Sequence, residues 1–174
     1  RQMSRVLGRP ECALRSLTVH FCSPIDAVQS VVQVEPVRVG KSVAHMRSEI
    51  LQSGQRVCYA SASFASPRNV DLRWQERQMP EVRPASELQA IPISTMGGPS
   101  FAQYFDYRFG GTRLPMTAGD TAILRTWIRP KTPAVIDTEL AVGMLDAMVP
   151  AILCRLDAPR PMASVDFRIQ LFTP

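Results

Sequence analysis

The sequence predicts an α+β protein in which antiparallel strands surround one long apolar helix, arranged as two incomplete copies of a single unit. Three observations carry this expectation. Runs such as "SLTVHFCS" (16–23) and "RVCYASASFA" (56–65) alternate in polarity with period two, the pattern of half-buried strands. The segment "DTELAVGMLDAMVPAILCRL" (137–156) puts Leu140, Met144, Leu145, Met148, Ile152 and Leu156 on one stripe at helical spacing. Finally, "ALRSLTVHFCSP" (13–24) matches "ASVDFRIQLFTP" (163–174) at an offset of 150 positions, with Ala13 on Ala163 and Pro24 on Pro174. Leu17, Val19 and Phe21 then fall on Phe167, Ile169 and Leu171.

In chain order, "RQMSRVLG" reads as the last turns of a helix, with Met3, Val6 and Leu7 on one side and Gly8 and Pro10 as its stop. The strand through 16–23 shows Leu17, Val19 and Phe21 on one face and Thr18, His20 and Cys22 on the other. "AVQSVVQVEPVRV" is a second strand, and Pro36 marks an edge or a bulge in it. Gly40 turns the chain into "SVAHMRSEILQ", and Ser53-Gly54 turns it again into "RVCYASASFA", so residues 28–65 form an antiparallel meander. The stretch from 66 to 100 is rich in proline and paired charges and reads as a linker or irregular crossing, with Trp74 as a possible anchor. "FAQYFDYRFG" and "TAILRTWIRP" resume strand character. Asp137 is placed to cap the long helix, Glu139 suits its positive end, and Pro150 should kink or split it. A Pro-containing loop leads to the last strand, "ASVDFRIQLF".

These elements divide the chain into a first repeat at 1–66 with its start missing, a linker at 67–100, and a second repeat at 101–174 with its end missing. A strand ending at Pro174 would leave an open edge, so further residues or a partner copy are expected to complete it.

Composition narrows the class. With 174 residues, 45% hydrophobic and 20% charged, the chain has the makeup of a globular domain. No apolar run approaches the roughly 20 residues that span a bilayer, and no signal peptide is evident at the start. Cys12, Cys22, Cys58 and Cys154 are scattered without a CxxC pair, and His20 and His45 are the two histidines. That distribution argues against a zinc site and for a reducing cytosol. Cys22 and Cys58 read as small hydrophobes within strands. The net charge of +5 is spread over alternating positions, as on the outer face of a sheet, with no aromatic-basic RNA-binding motif. Neither nucleic acid nor membrane is an expected partner.

An antiparallel sheet around one long helix is the hotdog fold. "LRSLTVHFCSPID", "VRVGKSVAHMRSEILQSGQRVCYASASFA" and "PMASVDFRIQLFTP" resemble the acyl-CoA thioesterase II type, a tandem double hotdog. The resemblance implies an acyl-CoA substrate, no cofactor, a homo-oligomer, and a carboxylate near the start of the strand after the second helix. Asp166 matches that carboxylate, and Ser16 stands at the corresponding place of the first repeat. The family's Thr or Ser and Gln partners would lie beyond Pro174.

The chemistry itself is simple. Thioester hydrolysis needs a water made nucleophilic and a donor for the developing oxyanion. A well-placed carboxylate can polarise that water without a covalent nucleophile. Period two sets Asp166, Arg168 and Gln170 on one face of the last strand, opposite Phe167 and Ile169. The resemblance makes Asp166 the candidate catalytic residue, with Arg168 and Gln170 as substrate-side neighbours; the pattern alone favours a solvated polar residue on the exposed side of a strand. No GxSxG elbow supports a serine hydrolase, and "TMGGPS" (95–100) lacks the features of a phosphate loop. A hotdog acyl-CoA binder without catalysis, and a β-rich interaction domain, remain as alternatives.

Overall fold

A computed structural model of the chain describes residues 1–69, 75–93, 97–111 and 113–172. Trp74 and the first residues of "TMGGPS" fall outside the described residues. The chain divides into two compact units, Arg1–Arg73 with Ala163–Pro174, and Trp74–Met162.

The first unit opens with a short helix, α1 (Gln2–Leu7), that ends on Gly8 at φ 65°. This left-handed residue is the usual glycine stop, because any Cβ would be strained there. The chain then enters β1 (Ala13–Phe21), β2 (Val31–Val39), β3 (Val43–Gln52) and β4 (Gln55–Ala65). Between β2 and β3, Gly40 N–H donates to Val43 O at 2.9 Å, closing a tight turn. Between β3 and β4 stand Ser53 at φ 49° and Gly54 at φ 77°. Positive φ at both central residues is the two-residue turn that matches strand twist. Pro36 carries no N–H, and the pairing of β2 with β3 shifts register between Pro36 and Arg38, the irregularity that proline demands.

The last strand, β7 (Asp166–Gln170), belongs to this sheet, whose order is β2-β3-β4-β1-β7. Its pairing with β1 is antiparallel: Leu17 lies opposite Ile169, Thr18 opposite Arg168, and Val19 opposite Phe167. The 150-position offset maps Leu17, Thr18 and Val19 onto Phe167, Arg168 and Ile169. The two copies therefore pair with each other about the Thr18/Arg168 position, in the self-complementary manner of a two-fold contact. The compact units follow strand pairing, whereas the division expected from the sequence follows the copies.

One face of the sheet is apolar. Met3 of α1 joins Ala44, Met46, Ala60, Ala62 and Phe64 in a buried cluster, with Leu17 and Val19 packed against it. The alanines of β4 leave room for the helix side chains, and their serine neighbours face the other way. Cys58 is buried as expected of a small hydrophobe, but Cys22 lies just past β1 and is exposed. None of the four cysteines forms a disulfide with another.

In the second unit, residues 100–104 form a 3₁₀ turn rather than the start of a strand, and β5 runs only from Phe105 to Phe109. It pairs with β6 (Thr126–Pro130). Tyr107 and Phe109 form the core here, with Phe105 and Ile128 beside them. The long helix is shorter than its stripe suggests. α2 spans Thr138–Asp146, and the chain resumes as a 3₁₀ turn at Ala151–Arg155 after Pro150. Proline has no N–H to give the preceding turn, so the split falls where its ring would clash. Met144 is buried, but Leu145 is 49% exposed and Ile152 48%. The stripe is covered at Met144 and open at its flank.

Asp137 caps α2 as its sequence position suggests, accepting from Leu140 N–H at 2.8 Å. The crossing before β5 is not a loose linker over its second half. Ile91 bridges to Tyr107, and Arg108 donates to Ala85 O at 2.7 Å and Leu88 O at 2.8 Å. Trp127 Nε1–H donates to Arg83 O at 2.9 Å. These bonds strap residues 83–91 onto β5 and β6.

Candidate functional site

The face of the five-stranded sheet opposite α1 is polar from edge to edge. Strand register sets its residues in rows, because directly opposed residues in antiparallel strands share a face. One row runs Asp166, His20, Tyr59, Glu49 and Gln33. The next runs Arg168, Thr18, Ser61, Arg47 and Glu35. Gln170, Ser16, Ser63 and His45 form most of a third.

Asp166 begins β7 and stands on this face with Arg168 and Gln170, all three exposed, while Phe167 and Ile169 are half-buried on the other side. The alternation read from the sequence is therefore present. The Asp166 side chain is 45% exposed, and its Oδ2 lies 3.3 Å from Arg168 Nη2. An exposed pair of this kind contributes about 0–1 kcal/mol. It orients the carboxylate rather than sequestering it. Gln170 lies at the far end of the strand, opposite Ser16.

The sequence did not single out His20 as a neighbour of Asp166, yet the register puts the two directly opposite each other. Cross-strand partners have Cβ atoms about 4.5–5.5 Å apart. The imidazole of His20 stacks on Tyr59, with ring centroids 4.5 Å apart and planes at 14°. The only clue in the sequence was the offset of 150, which becomes informative once the copies are known to pair antiparallel. His45 is a strand-face residue, its Nδ1 3.0 Å from Ser63 Oγ. Farther along, Glu49 is bonded by Arg56 and Arg47, which hold its carboxyl below the usual carboxylate range.

Chemically, this face offers an accessible carboxylate, a guanidinium beside it and a ring-stacked imidazole across from it. That set can orient and polarise a water molecule. Among the described residues, no group of three or more His, Cys, Asp or Glu converges as metal ligands do. No helix of the described residues is long and apolar enough to cross a membrane.

Two clefts lie in the second unit, and neither was anticipated from the sequence. One, of about 240 Å³, is apolar and lined by Met79, Val82, Leu124, Trp127 and Met148, with Arg125 and Thr126. The Thr126 hydroxyl oxygen is buried without a hydrogen-bond partner among the described residues, which costs roughly 1–3 kcal/mol. The other, of about 250 Å³, is more polar and is lined by Arg113, Asp120, Ile123 and again Arg125.

Among solved structures, the chain is similar to a hot dog fold protein of unknown function from Alicyclobacillus acidocaldarius. The TM-score is 0.85 at 24% identity, over 98% of this chain and 64% of that one. It is also similar to an acyl-CoA thioesterase II from Mycobacterium marinum, with TM-score 0.59 and 24% identity over 79% of this chain and 50% of that one. A third is a tesB protein from Mycobacterium avium subsp. paratuberculosis, at TM-score 0.58 and 20% identity, over 83% of this chain and 50% of that one. The chain thus spans less than two thirds of the length of these structures, and the likeness shows the hotdog fold. No curated protein matches the sequence. Family models for the acyl-CoA thioesterase N-terminal and C-terminal domains match residues 1–65 and 76–174. With the second of these spanning more than half of its length, the chain belongs to the acyl-CoA thioesterase family.

Proposed function

We propose that the protein carrying this chain hydrolyses acyl-CoA thioesters to a free acid and CoA, with Asp166 activating the attacking water. The observation that carries the reading is the placement of Asp166. In a chain of this family, the one carboxylate on β7 stands accessible on the polar face, beside Arg168 and opposite His20. The carboxylate accepts a proton from the water as its oxygen adds to the thioester carbonyl. The tetrahedral intermediate then expels CoA as a thiolate, which is protonated to the free thiol. Arg168, 3.3 Å from the carboxylate, orients it, and Gln170 extends the polar surroundings along the strand.

The reading includes two hotdog repeats acting as one double hotdog, working as a cytosolic homo-oligomer. The pairing of β1 with β7 supports the repeat arrangement, and the open sheet edges at β2 and β7 support assembly.

The test is free-thiol release from acyl-CoA by the full-length protein and its Asp166→Asn variant. Asparagine keeps the shape and removes the charge, so kcat should fall roughly a hundredfold or more with KM little changed. Equal rates would make Asp166 a surface residue. Saturable acyl-CoA binding without turnover in the parent protein would instead indicate an acyl-CoA binder.

A further inference from the structure

We propose that the apolar cleft of the second unit binds a medium-chain carboxylic acid, with the alkyl tail among Leu124, Trp127 and Met148 and the carboxylate on Arg125. The first support is the state of Arg125. Nearby arginines are committed: Arg108 to Ala85 O and Leu88 O, Arg113 to Asp120, Arg129 to Asp106, and Arg155 to Asp120 O. Among the described residues, the Arg125 guanidinium has no ion-pair or hydrogen-bond partner in the protein. It lines both clefts and so stands where an apolar lining gives way to a polar one. A planar cation at the mouth of an apolar cleft recognises an anionic head on an apolar chain. The acid of the polar cleft, Asp120, is already neutralised by Arg113 at 2.6 Å and does not oppose such a ligand.

The second support is that the cleft is built rather than incidental. Its outer wall, Met79, Pro80 and Val82, leads directly into the strap at 83–91, which the Trp127 bond to Arg83 O and the two Arg108 bonds hold on β5 and β6. Gly110 lets that wall sit close, since a methyl group there would overlap Val82 Cγ2. A wall anchored at one end costs less to order when a ligand enters than a free segment would. The volume of about 240 Å³ lies below the range usual for drug-sized ligands and holds roughly eight water-sized groups. An eight-carbon acid is therefore the natural probe.

This ligand is of the same class as the product of the proposed hydrolysis, but the site does not depend on that reaction. The same chemistry, an apolar chain with an anionic end, is also presented by acyl-CoA, and the test separates the two sources. Calorimetric titration of the full-length protein with sodium octanoate should show saturable binding, with 1-octanol at least tenfold weaker. R125Q should weaken octanoate at least tenfold and leave octanol unchanged, while R125K restores part of the loss. Displacement of octanoate by the non-hydrolysable thioether S-octyl-CoA would assign the site to acyl-CoA, and its failure to displace would assign the site to the free acid. Absence of saturable octanoate binding, octanol binding as tight as octanoate, or full octanoate affinity in R125Q would each overturn the proposal. The octanoate–octanol comparison on the parent protein decides the matter even if a variant fails to fold. No arm requires thioester cleavage, so a protein that binds octanoate but hydrolyses nothing sustains the site and sinks only the hydrolysis.

Discussion

Replacing Tyr107 by Phe takes one hydroxyl out of the core of the second unit and leaves the ring in place. The Tyr107 side chain is 1% exposed, and its hydroxyl donates to Ala147 O at 3.0 Å, tying β5 to the residue that ends α2. Phe fills the same space, so no cavity forms. The cost is the net hydrogen bond, about 1 kcal/mol, plus part of the penalty for a buried carbonyl that loses its donor, for a total of about 2 kcal/mol. For a chain of this size that corresponds to a fall of roughly 4–8 °C in Tm. Tryptophan fluorescence in thermal and urea unfolding reads it, because Trp127 belongs to the same unit. The pH dependence adds a second signature. Burial pushes the Tyr107 phenol above its ordinary value of 10.0. A group whose folded pKa is raised binds its proton more tightly in the folded state. Its contribution is complete below about pH 10 and is lost as pH rises from there through the folded value. The parent protein should lose stability across that alkaline window, and Y107F should lose less of it. A variant within about 0.3 kcal/mol of the parent, with the same alkaline slope, would refute the assignment of this bond as a tie between β5 and α2.

Two other substitutions test the local devices of the fold. Gln52 is 7% exposed; it accepts from Asp26 N–H at 3.2 Å and donates to Asp26 O at 2.9 Å and Ser30 Oγ at 3.0 Å. Gln52→Leu should cost about 2–3 kcal/mol and speed amide hydrogen exchange over residues 26–30, whereas unchanged exchange there would show that the loop holds itself. Asp137→Ala removes the cap of α2 and should cost about 1 kcal/mol in urea unfolding, with loss of protection at Leu140 N–H as its local signature.

How far the sequence could be read depended on the range of the interaction. The meander of β2, β3 and β4 was legible because alternation, Pro36, Gly40 and Ser53-Gly54 act locally, and each dictates its own backbone conformation. The cap at Asp137 and the break at Pro150 were legible for the same reason. The length of α2 was not: its stripe continues past Pro150, but the chain there is held as a 3₁₀ turn whose backbone bonds to residues 116–119. The start of "FAQYFDYRFG" alternates like a strand, yet the partner strand β6 ends at Pro130, opposite Phe105, so residues 100–104 have no strand to pair with and curl instead. At the candidate site, the alternation of Asp166, Arg168 and Gln170 was readable within one strand. Their neighbours were not, because His20 is 146 positions from Asp166 and only the register joins them. The cleft at Arg125 was hidden for a like reason: its wall comes from the proline-rich crossing, which has no periodic pattern to read.

The central claim, that a carboxylate-activated water rather than a protein nucleophile opens the thioester, is tested most directly by a single turnover in ¹⁸O-labelled water. The full-length protein is held in excess over octanoyl-CoA, and the released acid and the peptide containing Asp166 are weighed by mass spectrometry. If Asp166 activates water, the acid carries one ¹⁸O from the first turnover and the peptide carries none, and D166N releases almost no acid on the same timescale. Unlabelled acid with ¹⁸O in the Asp166 carboxyl would show that the carboxylate attacks the thioester itself, and labelled acid formed at an undiminished rate by D166N would show that Asp166 takes no part.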